Sequence, residues 1–120
     1  MIQEFNNCLK HKVAYVAIGE FKPGRFSQAQ DLYEKSVSTY DEGFQGAFLL
    51  RKLGPDSDKG MAMILWDNIE DMEKNQTEAG KKILAEMNQL FATPPETDFY
   101  EVCSEIQPQH KSKTKQPVIA

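Results

Sequence analysis

The stretch GMAMILWDNIEDMEKN, residues 60–75, contains an unbroken apolar run that ends at Trp66 and passes at once into acidic, helix-like sequence. The run has the length of a strand, and Asp67 followed by Glu70 is a plausible helix start signal. Its apolar residues occupy both parities, whereas a strand with one solvated face alternates apolar and polar residues. The stretch therefore predicts a strand that is covered on both faces and leads into a helix.

The segments on either side of this stretch complete a β-α-β-β-α-β order. β-branched and aromatic residues predict strands at 13–21, 44–53, 61–66 and 98–106. The first helix is predicted by an apolar stripe at three- and four-residue steps, made of Phe26, Ala29, Tyr33, Val37 and Tyr40. Ser27 and Gln30 form its expected capping box, and Gly43 its left-handed C′ residue.

The second helical region begins with a short segment and continues in a longer one that Thr77 can cap. Pro94 and Pro95 end it. This order predicts a ferredoxin-like α+β fold, with a four-stranded antiparallel sheet and both helices on one face. The other strands, with AYVAI and GAFLL, are also apolar at both parities. Since two helices cover only one face, we expect a homodimer through the second face of the sheet.

Length and composition indicate one domain, which we expect to span residues 1–107 with its core at 13–106, followed by a polar tail at 108–120. The tail is interpreted either as a solubilising extension or as a segment that docks on the partner subunit. The formal net charge of −4 argues against nucleic acid as a partner. No stretch approaches the ~20 apolar residues of a membrane span, and no signal peptide is recognised, so we expect a cytoplasmic protein without a membrane partner.

Cysteine and histidine are sparse. Cys8 and Cys103 lack metal-ligand spacing and are interpreted as buried or free thiols, so we expect no metal. His11 has an intrinsic pKa suited to acid–base chemistry, but no catalytic partner set accompanies it, and we interpret it as a surface or strand-edge residue.

GFQGAF at residues 43–48 and ILWDNIED at residues 64–71 resemble the antibiotic biosynthesis monooxygenase-like superfamily. The resemblance covers residues 13–106 and implies a dimeric α/β barrel. Members of this superfamily include oxygenases, heme-degrading enzymes and proteins without known activity, so the resemblance implies a fold more strongly than a reaction.

The resemblance also implies positions for site residues. In the quinone-forming, cofactor-free branch, Trp66 matches a tryptophan at the end of the third strand. The counterparts of its asparagine, tyrosine and arginine are Ala62, Met72 and Glu86. Alanine and methionine cannot donate the hydrogen bonds that polarise a phenolic substrate.

The heme-degrading branch is matched no better. Its asparagine, tryptophan and iron-ligating histidine correspond approximately to Ala17, Asn75 and Ala85. His11 and His110 both lie outside the predicted core, so no imidazole is placed to ligate iron. We therefore expect no heme and no other cofactor.

We expect a ligand pocket between the sheet and the second helix, lined by Trp66, Met72, Met87, Phe91 and Tyr15. Its expected ligand is a small hydrophobic or aromatic molecule. Trp66 is either a core residue that closes the barrel end or a ligand contact, and it is a weak catalytic candidate. Arg25, at the start of the first helix, is an anion-binding candidate, with a solvated surface charge as the alternative.

Two functions remain open at this point. One is a cofactor-independent monooxygenase, and the other is a non-catalytic homodimeric binding or structural protein of the same fold.

Overall fold

The computed structural model describes residues 12–55 and 57–108. Its elements are β1 (Val13–Glu20), α1 (Phe26–Val37), β2 (Phe44–Arg51), β3 (Lys59–Trp66), α2 (Ile69–Lys74), α3 (Glu78–Asn88) and β4 (Glu96–Glu101). The strands form one sheet in the order β2-β3-β1-β4, and every neighbouring pair is antiparallel. This arrangement confirms the predicted ferredoxin-like α+β fold.

The helix-covered face of the sheet carries the main core. Tyr15 on β1, with Ala62, Ile64 and Trp66 on β3, belongs to a cluster that includes the buried α1 residues Phe26, Ala29 and Tyr33 and the buried α3 residue Met87. The apolar stripe predicted for the first helix therefore faces the sheet, as its spacing requires. Trp66 is 1% exposed.

The opposite side of the sheet, here called the open face, carries a second set of side chains. The strand register aligns Phe48, Met63, Val16 and Asp98 in one row across the four strands. The open face consists of Ala14, Val16 and Ile18 on β1, Phe48 and Leu50 on β2, Met61, Met63 and Leu65 on β3, and Glu96, Asp98 and Tyr100 on β4. No described helix packs on this face. Ala14, Val16 and Leu65 are nevertheless buried there, whereas Phe48 is exposed by 55%, Tyr100 by 54%, Leu50 by 47% and Ile18 by 41%.

The observed start and end of α1 show that the predicted capping box and the predicted C′ glycine are both wrong. α1 begins at Phe26, and its N-cap residue Arg25 makes no side-chain capping bond, so Ser27 lies inside the helix and the predicted capping box is wrong. α1 ends at Val37, well before Gly43. Gly43 has φ +85° in the turn before β2, where a Cβ would also overlap the side chain of Asp71.

The other two helices, α2 and α3, are each capped at the N-terminus by a side chain. Thr77 Oγ1 accepts a hydrogen bond from the Gly80 N–H at 3.0 Å, which confirms the predicted cap of α3. α2 is capped by Asn68 rather than Asp67, since Asn68 Oδ1 accepts from the Asp71 N–H at 2.8 Å.

β4 lies earlier in the chain than the predicted 98–106. Its ladder with β1 runs from the Ile18–Glu96 pair to the Val13–Glu101 pair, so it ends where β1 begins. Cys103 is exposed and free, in agreement with one of the two interpretations of the cysteines. Cys8, His11, His110 and residues 109–120 of the tail lie outside the described residues. Within the described chain, no helix is both long enough and apolar enough to cross a membrane.

Candidate functional site

A cavity of about 80 Å³ lies between the helix-covered face and α3. Ala17 of β1 and Ala62 of β3 form part of its wall, and they are direct partners in the β1–β3 register. Two alanines side by side leave space where larger side chains would fill the core. Leu84 and Met87 of α3 line it from the helix side.

Two phenylalanines close one end of the cavity. The rings of Phe21 and Phe91 stack with their centroids 4.2 Å apart, and both residues line the cavity. The backbone holds this pair in place, because the Lys22 N–H donates to the Leu90 carbonyl at 2.7 Å and the Ala92 N–H donates to the Glu20 carbonyl at 2.8 Å. The segment after α3 is thus joined to the end of β1, which fixes the position of Phe91.

Tyr33 is the most constrained polar residue of the lining. Its hydroxyl lies 3.0 Å from the Phe48 carbonyl oxygen and 3.1 Å from the Met63 carbonyl oxygen, and its one proton can serve either acceptor. Burial, and then the neighbouring Tyr40, raises the pKa of Tyr33 to about 12. At neutral pH this hydroxyl is therefore protonated and engaged with the backbone, so it is a poor general base.

Three other polar side chains stand at the opening of the cavity. Tyr15, Asn88 and Thr97 line both the cavity and an adjoining surface depression. Their side-chain polar atoms have no hydrogen-bond partner among the described residues. Of the described residues that line the cavity, none carries a charge. The site therefore has an apolar interior and an uncharged polar rim that can both donate and accept hydrogen bonds.

Three of the five residues expected in a pocket, Tyr15, Met87 and Phe91, line this cavity together. The other two, Trp66 and Met72, are not among its lining residues and belong to the surrounding core cluster.

Trp66 sits in an aromatic cluster of its own. Its ring centroid is 4.9 Å from that of Tyr40 and 5.7 Å from that of Phe44. Its Nε1 is buried without a hydrogen-bond partner among the described residues. This placement is that of a core residue that closes one end of the sheet.

Arg25 lies away from the cavity lining and is exposed. Its Nη1 donates to Gln28 Oε1 at 3.2 Å, one turn along the same helix. Such an exposed pair is compatible with the surface-charge interpretation.

Sequence reasoning missed several lining residues, among them Ala17, Ala62, Asn88 and Thr97. Ala17 and Ala62 were considered only as poor matches to polar family positions. Their small size inside otherwise bulky strands is the signal that could have found them. Among the described residues, no group of three or more His, Cys, Asp or Glu side chains is arranged to hold a metal ion.

Comparison with protein-family models gives no match, and no curated protein matches the sequence. Solved structures do match. A mutant form of SnoaB, a cofactor-independent oxygenase from Streptomyces nogalater, matches this chain with a TM-score of 0.70 at 13% identity. The match covers 82% of this chain and 99% of that one.

Two further structures extend the comparison. A putative antibiotic biosynthesis monooxygenase from Caulobacter crescentus has a TM-score of 0.67 at 13% identity, over 80% of this chain and 93% of that one. A protein of unknown function from Nitrosomonas europaea has a TM-score of 0.61 at 20% identity, over 82% of this chain and 95% of that one. At these identities the likeness concerns the fold, and this chain has the fold of the antibiotic biosynthesis monooxygenases.

Proposed function

We propose that this protein binds a small, uncharged hydrophobic or aromatic molecule in the cavity between the sheet and α3. The observation that carries the proposal is the lining, in which apolar walls from Ala17, Ala62, Met87 and Phe91 meet an uncharged polar rim. Such a site favours an apolar ring with one or two hydrogen-bonding groups. A charged ligand would lose its hydration there without gaining an opposite charge.

A ligand panel tests this proposal. Phenols and the benzoates of the same size differ mainly in charge, so binding is measured for both by isothermal calorimetry and by the rise in Tm. We expect phenols to bind and benzoates to bind at least about tenfold more weakly, given the cost of burying an unpaired carboxylate. Equal binding of the two series would contradict the proposal.

Two matched variants locate the binding site. Ala62→Leu fills the cavity, whereas Ala85→Leu adds the same atoms at an exposed position of α3 that does not line it. We expect ligand binding to be lost in Ala62→Leu and kept in Ala85→Leu. If Ala62→Leu proves too unstable because of overpacking, Ala17→Val reduces the cavity by less. Unchanged affinity in a folded cavity variant would place the ligand elsewhere.

We further propose that the bound molecule is a phenol that O2 oxidises without an added cofactor. The shared fold with a cofactor-independent oxygenase supports this proposal, as does the unpartnered polar rim of Tyr15, Asn88 and Thr97. Hydrogen-bond donors at the rim can stabilise a phenolate oxygen as charge develops on it. Conversion of a phenol with a free para position to a quinone adds one oxygen atom of O2 and releases the other as water, with the phenol supplying all four electrons.

The oxidation is measured by O2 uptake and by quinone absorbance. Heat-denatured protein and Ala62→Leu are the controls for spontaneous oxidation. Turnover that is lost in Ala62→Leu and reduced in Asn88→Ala would support the enzyme. Binding without O2 uptake across the panel would instead support the non-catalytic alternative.

The proposal includes a homodimer formed through the open face. Ile18, Phe48, Leu50 and Tyr100 expose 41–55% of their surface there, and several exposed apolar side chains on one face are typical of an interaction site. Sedimentation at micromolar concentration should give twice the mass of one chain. The mass of a single chain would overturn this part of the proposal.

A further inference from the structure

The cavity continues into an outer depression of about 510 Å³ beside β4, which is an edge strand of the sheet. The cavity itself, here called the inner cavity, measures about 80 Å³. The residues that line both spaces form a neck between them: Tyr15, Asn88, Phe91, Pro95 and Thr97. One molecule that passes through this neck can therefore occupy both spaces at once.

The sheet gives the inner cavity a floor of small side chains. The strand register aligns Thr97 of β4, Ala17 of β1, Ala62 of β3 and Leu49 of β2 in one row, and all four residues line the inner cavity. Neighbouring strands are about 4.8 Å apart, so the two alanines leave a slot that runs across the strands between Thr97 and Leu49. The slot leads from the neck towards β2.

The volume of the inner cavity limits what can enter it. A closed apolar cavity that takes up benzene measures about 150 Å³, and one water molecule occupies about 30 Å³ in the liquid. On this scale the inner cavity, at about 80 Å³, has space for about three or four carbon atoms. It is therefore large enough for a short alkyl group and too small for an aromatic ring.

The walls at both ends of the inner cavity are held by specific contacts. At the inner end, the Tyr33 hydroxyl lies 3.0 Å and 3.1 Å from two backbone carbonyl oxygens of β2 and β3. At the neck, Phe91 stacks on Phe21 and packs against Gly19, where a Cβ would lie 2.8 Å from the Phe91 ring. Because moving either wall would break close-packed contacts, we expect the inner cavity to keep its size when a ligand binds.

The outer depression is suited to the polar part of a ligand. At about 510 Å³ it exceeds the volume that benzene needs, and none of its described lining residues carries a charge. Tyr15, Asn88 and Thr97 present uncharged hydrogen-bonding groups at the neck. The segment Thr93–Pro95 forms another part of the wall, and its two prolines restrict the backbone there. A ring with a hydroxyl group would find both space and hydrogen-bond partners in this depression.

We infer that the ligand is a phenol with one short alkyl arm of up to about four carbons, whose arm fills the inner cavity while its ring and hydroxyl stay in the outer depression. The inference rests on the proposed function and adds the class of substrate and its orientation. An unsubstituted phenol leaves the apolar inner cavity empty, and a longer arm does not fit into it. Affinity should therefore pass through a maximum as the arm grows.

A series of meta-alkylphenols with linear arms of increasing length tests this inference. These compounds keep the para position free, as the proposed oxidation requires, and their binding is measured by isothermal calorimetry. We expect the dissociation constant to fall about threefold to fourfold with each added methylene up to about the fourth carbon and to rise with longer arms. A steady change with length would overturn the inference, because a general apolar surface sets no size limit.

Two variants should move this size limit in opposite directions. Ala17→Val adds two carbon atoms to the slot, so we expect the best-binding arm to be shorter by about two carbons. Leu84→Ala removes a lining side chain that is 37% exposed, so the chain should still fold and the best-binding arm should be longer. Ala85→Leu, at an exposed position of α3 that does not line the cavity, is the control and should keep the wild-type optimum.

Thermal unfolding shows which of these variants are folded. If Ala17→Val is too unstable because of overpacking, Leu84→Ala decides the test. The wild-type optimum in a folded cavity variant would overturn the inference.

The outcomes separate this inference from the proposed function. Tighter binding of unsubstituted phenol than of every alkylphenol would place the ring in the inner cavity, which refutes the inference and leaves the binding of an uncharged aromatic molecule in place. A series in which no phenol binds would refute both.

Discussion

Tyr33→Phe removes one hydroxyl from the buried wall of the candidate site, and its effect should depend on pH. The Tyr33 hydroxyl lies 3.0 Å and 3.1 Å from two carbonyl oxygens of β2 and β3, and the residue is 7% exposed. A buried hydrogen bond contributes a net ~1 kcal/mol to stability. At pH 8 we therefore expect the variant to lose about 1 kcal/mol, or roughly 3–5 °C in Tm.

At alkaline pH we expect the Tyr33→Phe variant to become the more stable of the two proteins. The pKa of Tyr33 is raised from 10.0 to about 12 by burial and then by Tyr40, so between these values the folded chain keeps a proton that the unfolded chain has lost. The unfolding free energy of the wild type then falls by up to about 1.4 kcal/mol per pH unit relative to the variant. The Tyr33 hydroxyl stabilises the wild type fully below pH 10. Given this slope, we expect the wild type and the variant to be equally stable near pH 11.

Urea unfolding followed by the fluorescence of Trp66 measures this difference from pH 8 to pH 11.5. All other titrating groups are common to the two proteins, so they largely cancel in the difference between them. Both proteins are compared at one concentration, because dimer dissociation would add a concentration dependence. Parallel stability curves across the whole range would refute the buried, hydrogen-bonded placement of the Tyr33 hydroxyl.

Three further substitutions test how the elements are joined, each by urea unfolding. Thr77→Ala removes the cap that accepts from Gly80 at 3.0 Å, and we expect a loss of about 1 kcal/mol; an unchanged stability would contradict the cap. Asn75→Ala removes three hydrogen bonds between the end of α2 and nearby backbone groups, and we expect a loss of about 2 kcal/mol in unfolding free energy. As the control, Gln76→Ala at an exposed position should change the unfolding free energy by no more than about 0.5 kcal/mol. Gly43→Ala forces a Cβ onto a φ of +85° and against α2, so we expect a loss of about 1–3 kcal/mol, and a gain in stability would refute this conformation.

The element order could be predicted because its signals are local. Strand parity, helical spacing and the Thr77 cap are properties of a few neighbouring residues. The cavity depends instead on register, because Ala17 and Ala62 are far apart in the sequence and become neighbours only when β1 pairs with β3. The capping prediction at Ser27 failed for a related reason, since α1 starts earlier than its side-chain signal and leaves Ser27 within the first turn.

Strand parity also explains how one small sheet can carry two separate sites. Tyr15 and Ala17 face the cavity, whereas their immediate neighbours Ala14, Val16 and Ile18 face the proposed partner. These strands are apolar at both parities because both faces of the sheet are used. Alternate residues therefore line the cavity on one face and the proposed dimer interface on the other. On β4, Thr97 lies at the cavity opening and also borders a depression on the open face, whereas Glu96 lines that depression and not the cavity. Met61 lines the cavity and also a second depression on the open face, so we expect substitutions at this residue to affect both ligand binding and the proposed dimer.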